Sequence, residues 1–358
     1  MTRTSEWVSP GHPDKVADGI VSFLLDRFIE RDPKTRFGLE CQIKDNFVTL
    51  GGEITSSVVM SEDVIAEYVA EAVKRIGYTE KYARRWGLDN CICPTALTVA
   101  QHIGMQSPDI SQGVDAGGWG DQGIMWGMAT GDERTDYMPV DHWLAKLIGT
   151  ILYENAYDGR LDIGLDIKTQ VTIVDGEVVR VIVAAPMRDR KLEESVRDIA
   201  IGAIDRWYYH GNGKPHVYDV IVNGTGAYVR HASQGDCGTT GRKLAVDFYG
   251  GNCRIGGGCP WGKDPSKADV ALNIYARRKA LAFLKEHPSL GTVYCSIACC
   301  IGQRYIEVAY FDGQMEQVDV GDETRPADAI IDEIGLRRPV YAFLNRNGLF
   351  TDPSLART

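Results

Sequence analysis

The chain is 358 residues long, 44% hydrophobic and 25% charged, with a formal net charge of −10. That length supports two or three domains with real cores, and the acidic balance argues against nucleic acid as the main partner. No apolar run reaches the roughly 18 residues of a membrane span, and "MTRTSEWVSPGHPDK" lacks a signal-peptide core, so a cytoplasmic protein without membrane contact is expected. Nine cysteines without a C-x-x-C pair suit neither a disulfide framework nor a zinc site.

From Pro13 to Ile76 the pattern reads helix, hairpin, helix. "PDKVADGIVSFLLDRFIE" carries Val16, Ile20, Leu24 and Phe28 on one helical stripe, with proline in its first turn. His12 stands just before it, either as a cap or as a donor to an anionic ligand oxygen at the helix N-terminus. A phosphate there would need a cation beside Asp14, which makes Asp14 a candidate Mg²⁺ ligand. "RFGLECQIKDNFVTLGGEIT" alternates as two strands around Asp45-Asn46. A two-residue turn sets Lys44 against Phe47 and Glu40 against Gly51, so Glu40 and Glu53 share the face opposite Leu39, Cys41 and Ile54. They form either a solvated edge or oxygen ligands for a monovalent cation or a substrate amine. "SEDVIAEYVAEAVKRIGY" then reads as a helix capped by Ser61.

"QSPDISQGVDAGGWGDQG" is polar, glycine-rich and without periodicity, as functional loops are. The helix, hairpin, helix order returns in "PVDHWLAKLIGTILYENAY", "DIKTQVTIVDGEVVRVIVAA" with an Asp175-Gly176 turn, and "KLEESVRDIAIGAIDRWYY". Asp166 and Lys168 project from one face of that hairpin, as a surface ion pair or with the lysine turned toward phosphates. "NGTGAYVRHASQGDCGTTGRKLAVD" lets backbone amides approach an anion beside Arg242 and Lys243. There Asp236 is placed to accept from a ribose hydroxyl or adenine, and Tyr228 to stack on a base; the plainer reading is a long connection. The order returns a third time in "PSKADVALNIYARRKALAFLKEH", "TVYCSIACCIGQRYIEVAYF" and "RPADAIIDEIG", at a period of about 130 residues. An α+β protein is expected, of three similar domains (1–108, 109–230 and 231–358), each a sheet with helices on one face. The uncovered sheet faces predict an oligomer.

"GGGCPWGKDPSKAD" nearly matches a P-loop: Gly257, Gly262 and Lys263 fit G-x-x-x-x-G-K-[ST]. Asp264 then stands where the motif needs a hydroxyl, and a carboxylate repels phosphate. Lys263, Lys267 and Asp269 still suggest an anion site held by different means.

Together "GHPDK", "GGEIT", "QSPDISQGVD", "GDQG", "GDCGTTGRK" and "GGGCPWGKDPSKAD" closely resemble the methionine adenosyltransferase (S-adenosylmethionine synthetase) family, in its order and over about nine-tenths of the chain. The resemblance implies three domains about a pseudo-threefold axis. It implies formation of S-adenosylmethionine from ATP and L-methionine, by sulfur attack on the ATP 5′ carbon, with tripolyphosphate then hydrolysed to pyrophosphate and phosphate. It further implies two Mg²⁺ per site on Asp14 and Asp269, K⁺ near Glu40, and His12 beside the departing oxygen. By the same resemblance Glu53, Gln106 and Asp121 handle methionine and adenosine. Asp166, Lys168, Asp236, Arg242, Lys243, Lys263 and Lys267 surround the nucleotide and its triphosphate, and Tyr228 stacks on adenine. His12, Lys168, Arg242 and Lys263 are the implied catalytic groups. A homodimer with shared active sites is implied, with a dimer of dimers as the larger assembly.

The residue types suit that chemistry. Thioether sulfur needs no general base, whereas a leaving triphosphate needs metal ions, fixed cations and a donor at the departing oxygen, and metal ions among the phosphates would let Asp264 and Asp269 stand in that clamp. Three places depart from the family pattern. Only "AGGW" separates "QGVD" from "GDQG", "NGTGAY" leaves Ala227 where the family has a basic residue, and the tail after Val340 is short. The short loop predicts a comparatively open site, partly covered by Trp119 in place of a mobile lid. The alternatives are an unrelated phosphotransferase, whose P-loop or kinase signature is missing, and a nucleotide-binding regulatory paralogue, which has no need to keep His12 and Lys168.

Overall fold

The computed structural model describes residues 1–105, 117–211 and 218–350. Three units of the expected kind are present, each built on one long helix and a hairpin. In the first, helix α1 (Pro13–Ile29) has proline at its start, and His12 Nδ1 accepts the Asp14 N–H at 3.1 Å. Every residue of α1 except Arg27 is buried. Strands β2 (Arg36–Lys44) and β3 (Phe47–Thr55) pair in the expected register, with Lys44 opposite Phe47 and Glu40 opposite Gly51. Asp45 turns the chain at φ 54°. Leu39, Cys41 and Ile43 go to the core and Glu40 is exposed, as period-two alternation requires. Helix α2 (Glu62–Ile76) opens on Ser61, whose side chain accepts the Val64 N–H, and helix α3 (Glu80–Trp86) follows.

The second unit repeats this with helix α4 (Val140–Tyr157), strands β6 (Lys168–Val174) and β7 (Glu177–Ala184), and helix α5 (Leu192–His210). Asp175 and Gly176 both take positive φ, 50° and 90°, as a type I′ turn demands. The third has helix α8 (Ala268–Glu286), strands β10 (Thr292–Cys299) and β11 (Tyr305–Phe311), and helix α9 (Ala327–Ile334).

The sequence pattern did not reveal how the units are laced together. Strand β1 (Thr2–Val8) precedes α1 yet pairs antiparallel with β6 in the second sheet. Strand β5 (Gly123–Thr130) precedes α4 and pairs with β10 in the third. Strand β9 (Gly238–Thr239) precedes α8 and pairs with β2 in the first. Each unit thus lends its leading strand to the next, and the circle closes. Strands β4 (Thr98–Gly104), β8 (Asp219–Val222) and β12 (Gln317–Thr324) take the opposite edges, parallel in the first two sheets and antiparallel in the third. All three sheets therefore have four strands.

Helix α1 packs on the first sheet, α4 on the second and α8 on the third. One continuous core holds residues of all three helices, Ile20, Leu24, Leu144, Ile148, Leu272 and Ile274, all fully buried. Each such side chain contributes about 1.5–3 kcal/mol of burial. Between β9 and α8 the chain makes two short helices, α6 (Ala232–Gly235) and α7 (Leu244–Asp247). At the end, helix α10 (Tyr341–Asn347) returns onto α1, where Asp26 accepts the N–H groups of Tyr341 and Ala342.

Candidate active site

Lending strands brings distant sequence together at the start of α1. The last residue of β1, Val8, pairs with Lys168, the first of β6. Backbone from β9 reaches the same place, where Thr239 N–H donates to Asp14 Oδ1 at 2.9 Å. The other oxygen of Asp14 accepts from Lys243 Nζ at 2.6 Å, and Arg242 lies 3.7 Å from the carboxylate. Asp14 is buried, Lys243 is partly buried, and Arg242 and Lys168 are exposed.

His12 sits among these cations. Burial, then the charges of Lys168, Lys243, Lys15 and Arg242, push its pKa down to about 2. It is therefore neutral at any ordinary pH. Because Nδ1 accepts the Asp14 N–H, the single ring proton lies on Nε2, which makes His12 a neutral donor through Nε2.

Asp166 faces the group from the entry to β6. Its Oδ2 accepts the N–H of Ala232, a non-glycine residue held at φ 52°, while the buried Oδ1 has no hydrogen-bond partner. Burial lifts its carboxyl to about 6, against the pull of the Ala232 N–H and Lys168, with Asp236 and Asp14 adding to the rise. Tyr228 is also near: burial and the Asp166 charge raise its hydroxyl. Asp236 is exposed, and its Oδ1 accepts the N–H of Cys237.

A second group lies on the outer side of the first sheet, in a pocket of about 500 Å³ that includes Glu40, Glu53, Asp121, Lys263, Lys267 and Asp269. Lys263 bonds Asp269 Oδ2, and Lys267 Nζ is 3.6 Å from Glu53. Glycine is needed here for closeness: Gly262 turns at φ 70°, and a Cβ on Gly258 would collide with Asp269. Among the described residues no hydrogen bond or ion pair joins the two groups. Gln106 lies outside the described residues.

Two expectations need correction. Asp264 does not face phosphates or a metal. It is 1% exposed, accepts from Phe37 N–H, Ser266 N–H and Ser266 Oγ, and so ties the glycine-rich loop to β2. Trp119 is 0% exposed, its N–H donating to Gln303 O and its carbonyl accepting from Gly302 N–H. It is a core residue of the third unit and, among the described residues, does not line the Glu40–Lys263 pocket.

Across the whole length, residues 1–108, 116–228 and 231–357 match the N-terminal, central and C-terminal domains of S-adenosylmethionine synthetase. The chain belongs to the S-adenosylmethionine synthetase family. It is accordingly an enzyme, a methionine adenosyltransferase, that forms S-adenosylmethionine. The S-adenosylmethionine synthase of Helicobacter pylori strain Shi470 is 34% identical, the match covering 97% of this chain and 92% of that protein. That of Zymomonas mobilis is 37% identical over 76% of this chain and 71% of its own. A solved structure titled as an unusual S-adenosylmethionine synthetase from Campylobacter jejuni superposes with a TM-score of 0.83 at 28% identity, over 99% of this chain and 96% of that one.

Within this synthetase fold, three positioning residues escaped the sequence reading. Buried Lys15 lies 2.5 Å from Asp247 and 3.1 Å from Asp18 Oδ2, with its ammonium 4.4 Å from the Trp261 ring centroid. Burial pulls the Lys15 pKa down, but the two carboxylates outweigh it and hold it above the ordinary value. Asp18 Oδ1 in turn accepts the Gly241 N–H, fixing the loop that carries Arg242 and Lys243. Period did not mark them: Lys15 and Asp18 fall on the side of α1 opposite the Val16–Phe28 stripe, which helical spacing reads as solvent-facing, whereas nearly the whole helix is buried.

Proposed function

We propose that the enzyme joins the sulfur of L-methionine to the 5′ carbon of ATP, expelling tripolyphosphate and hydrolysing it to pyrophosphate and phosphate. The observation that carries this reading is the ring of Lys168, Arg242 and Lys243 around a neutral His12 donor at the N-terminus of α1. Charge grows on the departing oxygen as the C–O bond breaks, and fixed cations with an aimed N–H lower the barrier by meeting it. His12 Nε2 donates to that oxygen; Lys168, Arg242, Lys243, Lys263 and Lys267 hold the triphosphate. Asp166 and Asp236 accept from the nucleoside, Tyr228 stacks on its base, and Glu53, Gln106 and Asp121 bind methionine and adenosine. No general base is required, because the thioether lone pair is free.

Metal dependence is general in the family, and the donor set fits two Mg²⁺. Asp14 and Asp269 are single carboxylates, each already holding an ammonium where a cation belongs, Lys243 and Lys263 respectively. Mg²⁺ asks for one or two carboxylates, with phosphate and water supplying the rest. When bound, it would neutralise phosphate charge. Glu40, an exposed carboxylate on the open sheet face, would hold K⁺.

The two groups of residues, unconnected within one chain among the described residues, support a homodimer in which the His12 group of one copy completes the Lys263 group of the other. The exposed outer face of the first sheet supports the same assembly. Coexpression of His12→Asn and Lys263→Met chains tests it. Half of the dimers would be mixed, each with one intact site, so activity should recover to about a quarter of wild type from two inactive parents. No recovery would mean that each site is built from one chain. The domain boundaries at 108 and 230, and a cytoplasmic location, complete the proposal.

A further inference from the structure

The backbone beside Asp166 is strained at Ala232. This fully buried residue takes φ 52°, where a side chain with a Cβ is uncommon and persists only when its surroundings over-determine it. That conformation aims its N–H at Asp166 Oδ2, 2.9 Å away. The Ala232 carbonyl in turn accepts the N–H of Asp236 at 3.0 Å, so both carboxylates lean on one residue. On the C-terminal side of Ala232, Ser233 is clasped to the β2–β3 turn, its carbonyl accepting from the Asp45 N–H and from Lys44 Nζ. On the N-terminal side stands His231.

His231 is buried in an aromatic cluster with α3. Trp86 meets its ring edge to face at 4.9 Å between centroids, and Tyr82, stacked on Trp86, meets it edge to face at 5.9 Å. Hydrogen bonds then fix the ring. Nδ1 lies 2.6 Å from the Val229 carbonyl, which can only accept, so Nδ1 carries a proton. Burial, against the pull of that bond, lowers the His231 pKa to about 4, so the ring is neutral and Nε2 is an acceptor. The Tyr82 hydroxyl, 2.8 Å from Nε2, therefore donates to it, and the same oxygen accepts the Leu165 N–H at 3.0 Å. Leu165 precedes Asp166, and His231 precedes Ala232. One hydroxyl on α3 thus holds both partners of the Asp166–Ala232 hydrogen bond, each from the preceding residue.

We propose that Tyr82, acting through His231 and Leu165, is a positioning residue that keeps Ala232 left-handed and Asp166 in place to accept from the nucleoside of ATP. The inference rests on the reading of Asp166 as a nucleoside acceptor. Its partnerless Oδ1 is the atom left for the ligand. A bond to the nucleoside is made in the ground state and the transition state alike. Loss of the clamp therefore raises KM for ATP and leaves kcat nearly unchanged.

Tyr82→Phe removes only the hydroxyl and is the test, with His231→Asn, too short to reach Tyr82, as the second variant. Amide exchange is read first in the full-length protein without ATP. Exchange at Ala232 should speed about tenfold beyond any change in the β2–β3 hairpin, because the N–H is released from Asp166. With saturating L-methionine, KM for ATP should then rise at least about fivefold, with kcat within about twofold of wild type. The double variant Tyr82→Phe/Ala232→Gly should recover most of the lost affinity, since glycine takes φ 52° without strain. A merely structural loss would not recover, because glycine adds no contact and loosens the chain. Unaltered exchange at Ala232, a fall in kcat matching the rise in KM, or no recovery in the double variant overturns the clamp. Faster exchange with unchanged KM upholds the hold on Ala232 and overturns the nucleoside role of Asp166, which Asp166→Asn checks separately.

Discussion

His12 has two jobs on two different nitrogens, and two substitutions separate them. Nδ1 caps α1 by accepting the Asp14 N–H, and Nε2 carries the proton that meets the departing oxygen. Asparagine places its carbonyl near the position of Nδ1 and is a good N-cap, so His12→Asn keeps the cap and removes the donor. Glutamine reaches the position of Nε2, so His12→Gln keeps a donor and loses the cap. Removing one donor to developing charge costs about 10²–10³ in kcat, roughly 2.7–4 kcal/mol. Losing a cap costs about 0.5–2 kcal/mol of stability. His12→Asn should therefore melt like wild type, bind ATP nearly as well, and form S-adenosylmethionine 10²–10³-fold more slowly in a single turnover. His12→Gln should melt lower and keep more of the rate. With a pKa near 2, His12 should also contribute no titration to the wild-type rate between pH 5 and 9. The reasoning is refuted if His12→Asn loses ATP affinity in proportion to its rate, or loses stability while turning over normally.

Lys168→Met should behave like His12→Asn, with the loss in single-turnover rate exceeding the loss in ATP affinity. Asp14→Asn and Asp269→Asn should each raise the Mg²⁺ concentration for half-maximal activity, while Glu40→Gln blunts activation by K⁺; unchanged Mg²⁺ titrations in both aspartate variants would contradict the metal assignment. Asp166 has a folded pKa of about 6 against an unfolded value near 3.9, so the folded state holds the extra proton between them and its ionised form costs stability above. Asp166→Asn should thus gain on wild type as pH rises from about 4 to about 6 and hold a constant advantage beyond, which melting curves across pH will read. Trp119→Ala should lower stability by about 3–5 kcal/mol, as a fully buried tryptophan does; a change under 1 kcal/mol would return Trp119 to the surface.

Much of the fold was legible in period and punctuation. The hairpin register at Asp45-Asn46 followed from turn length, and with it the shared face of Glu40 and Glu53. The lent strands were not legible. A seven-residue strand such as β1, or the two residues of β9, carries too little pattern to show that its partner lies in another unit, since pairing is decided by long-range packing. Charges on the loops were found because they break an apolar or glycine-rich background. Asp264 misled for the same reason: beside Lys263 it looked like part of the anion site, whereas it caps its own turn at Ser266 and holds the N–H of Phe37, a partner that sequence alone does not bring near. Trp119 misled through its glycine neighbours, which suggested an exposed loop where the chain in fact enters a core.

The central claim is that sulfur attacks carbon rather than that phosphorus is transferred. ATP labelled with ¹⁸O at the bridging 5′ oxygen, turned over with L-methionine, Mg²⁺ and K⁺, tests it directly by mass analysis of every product. Breakage of the C5′–O bond predicts unlabelled S-adenosylmethionine, with the ¹⁸O carried away in the pyrophosphate and phosphate released from tripolyphosphate. Label retained on the adenosyl product, or ADP among the products, would contradict it.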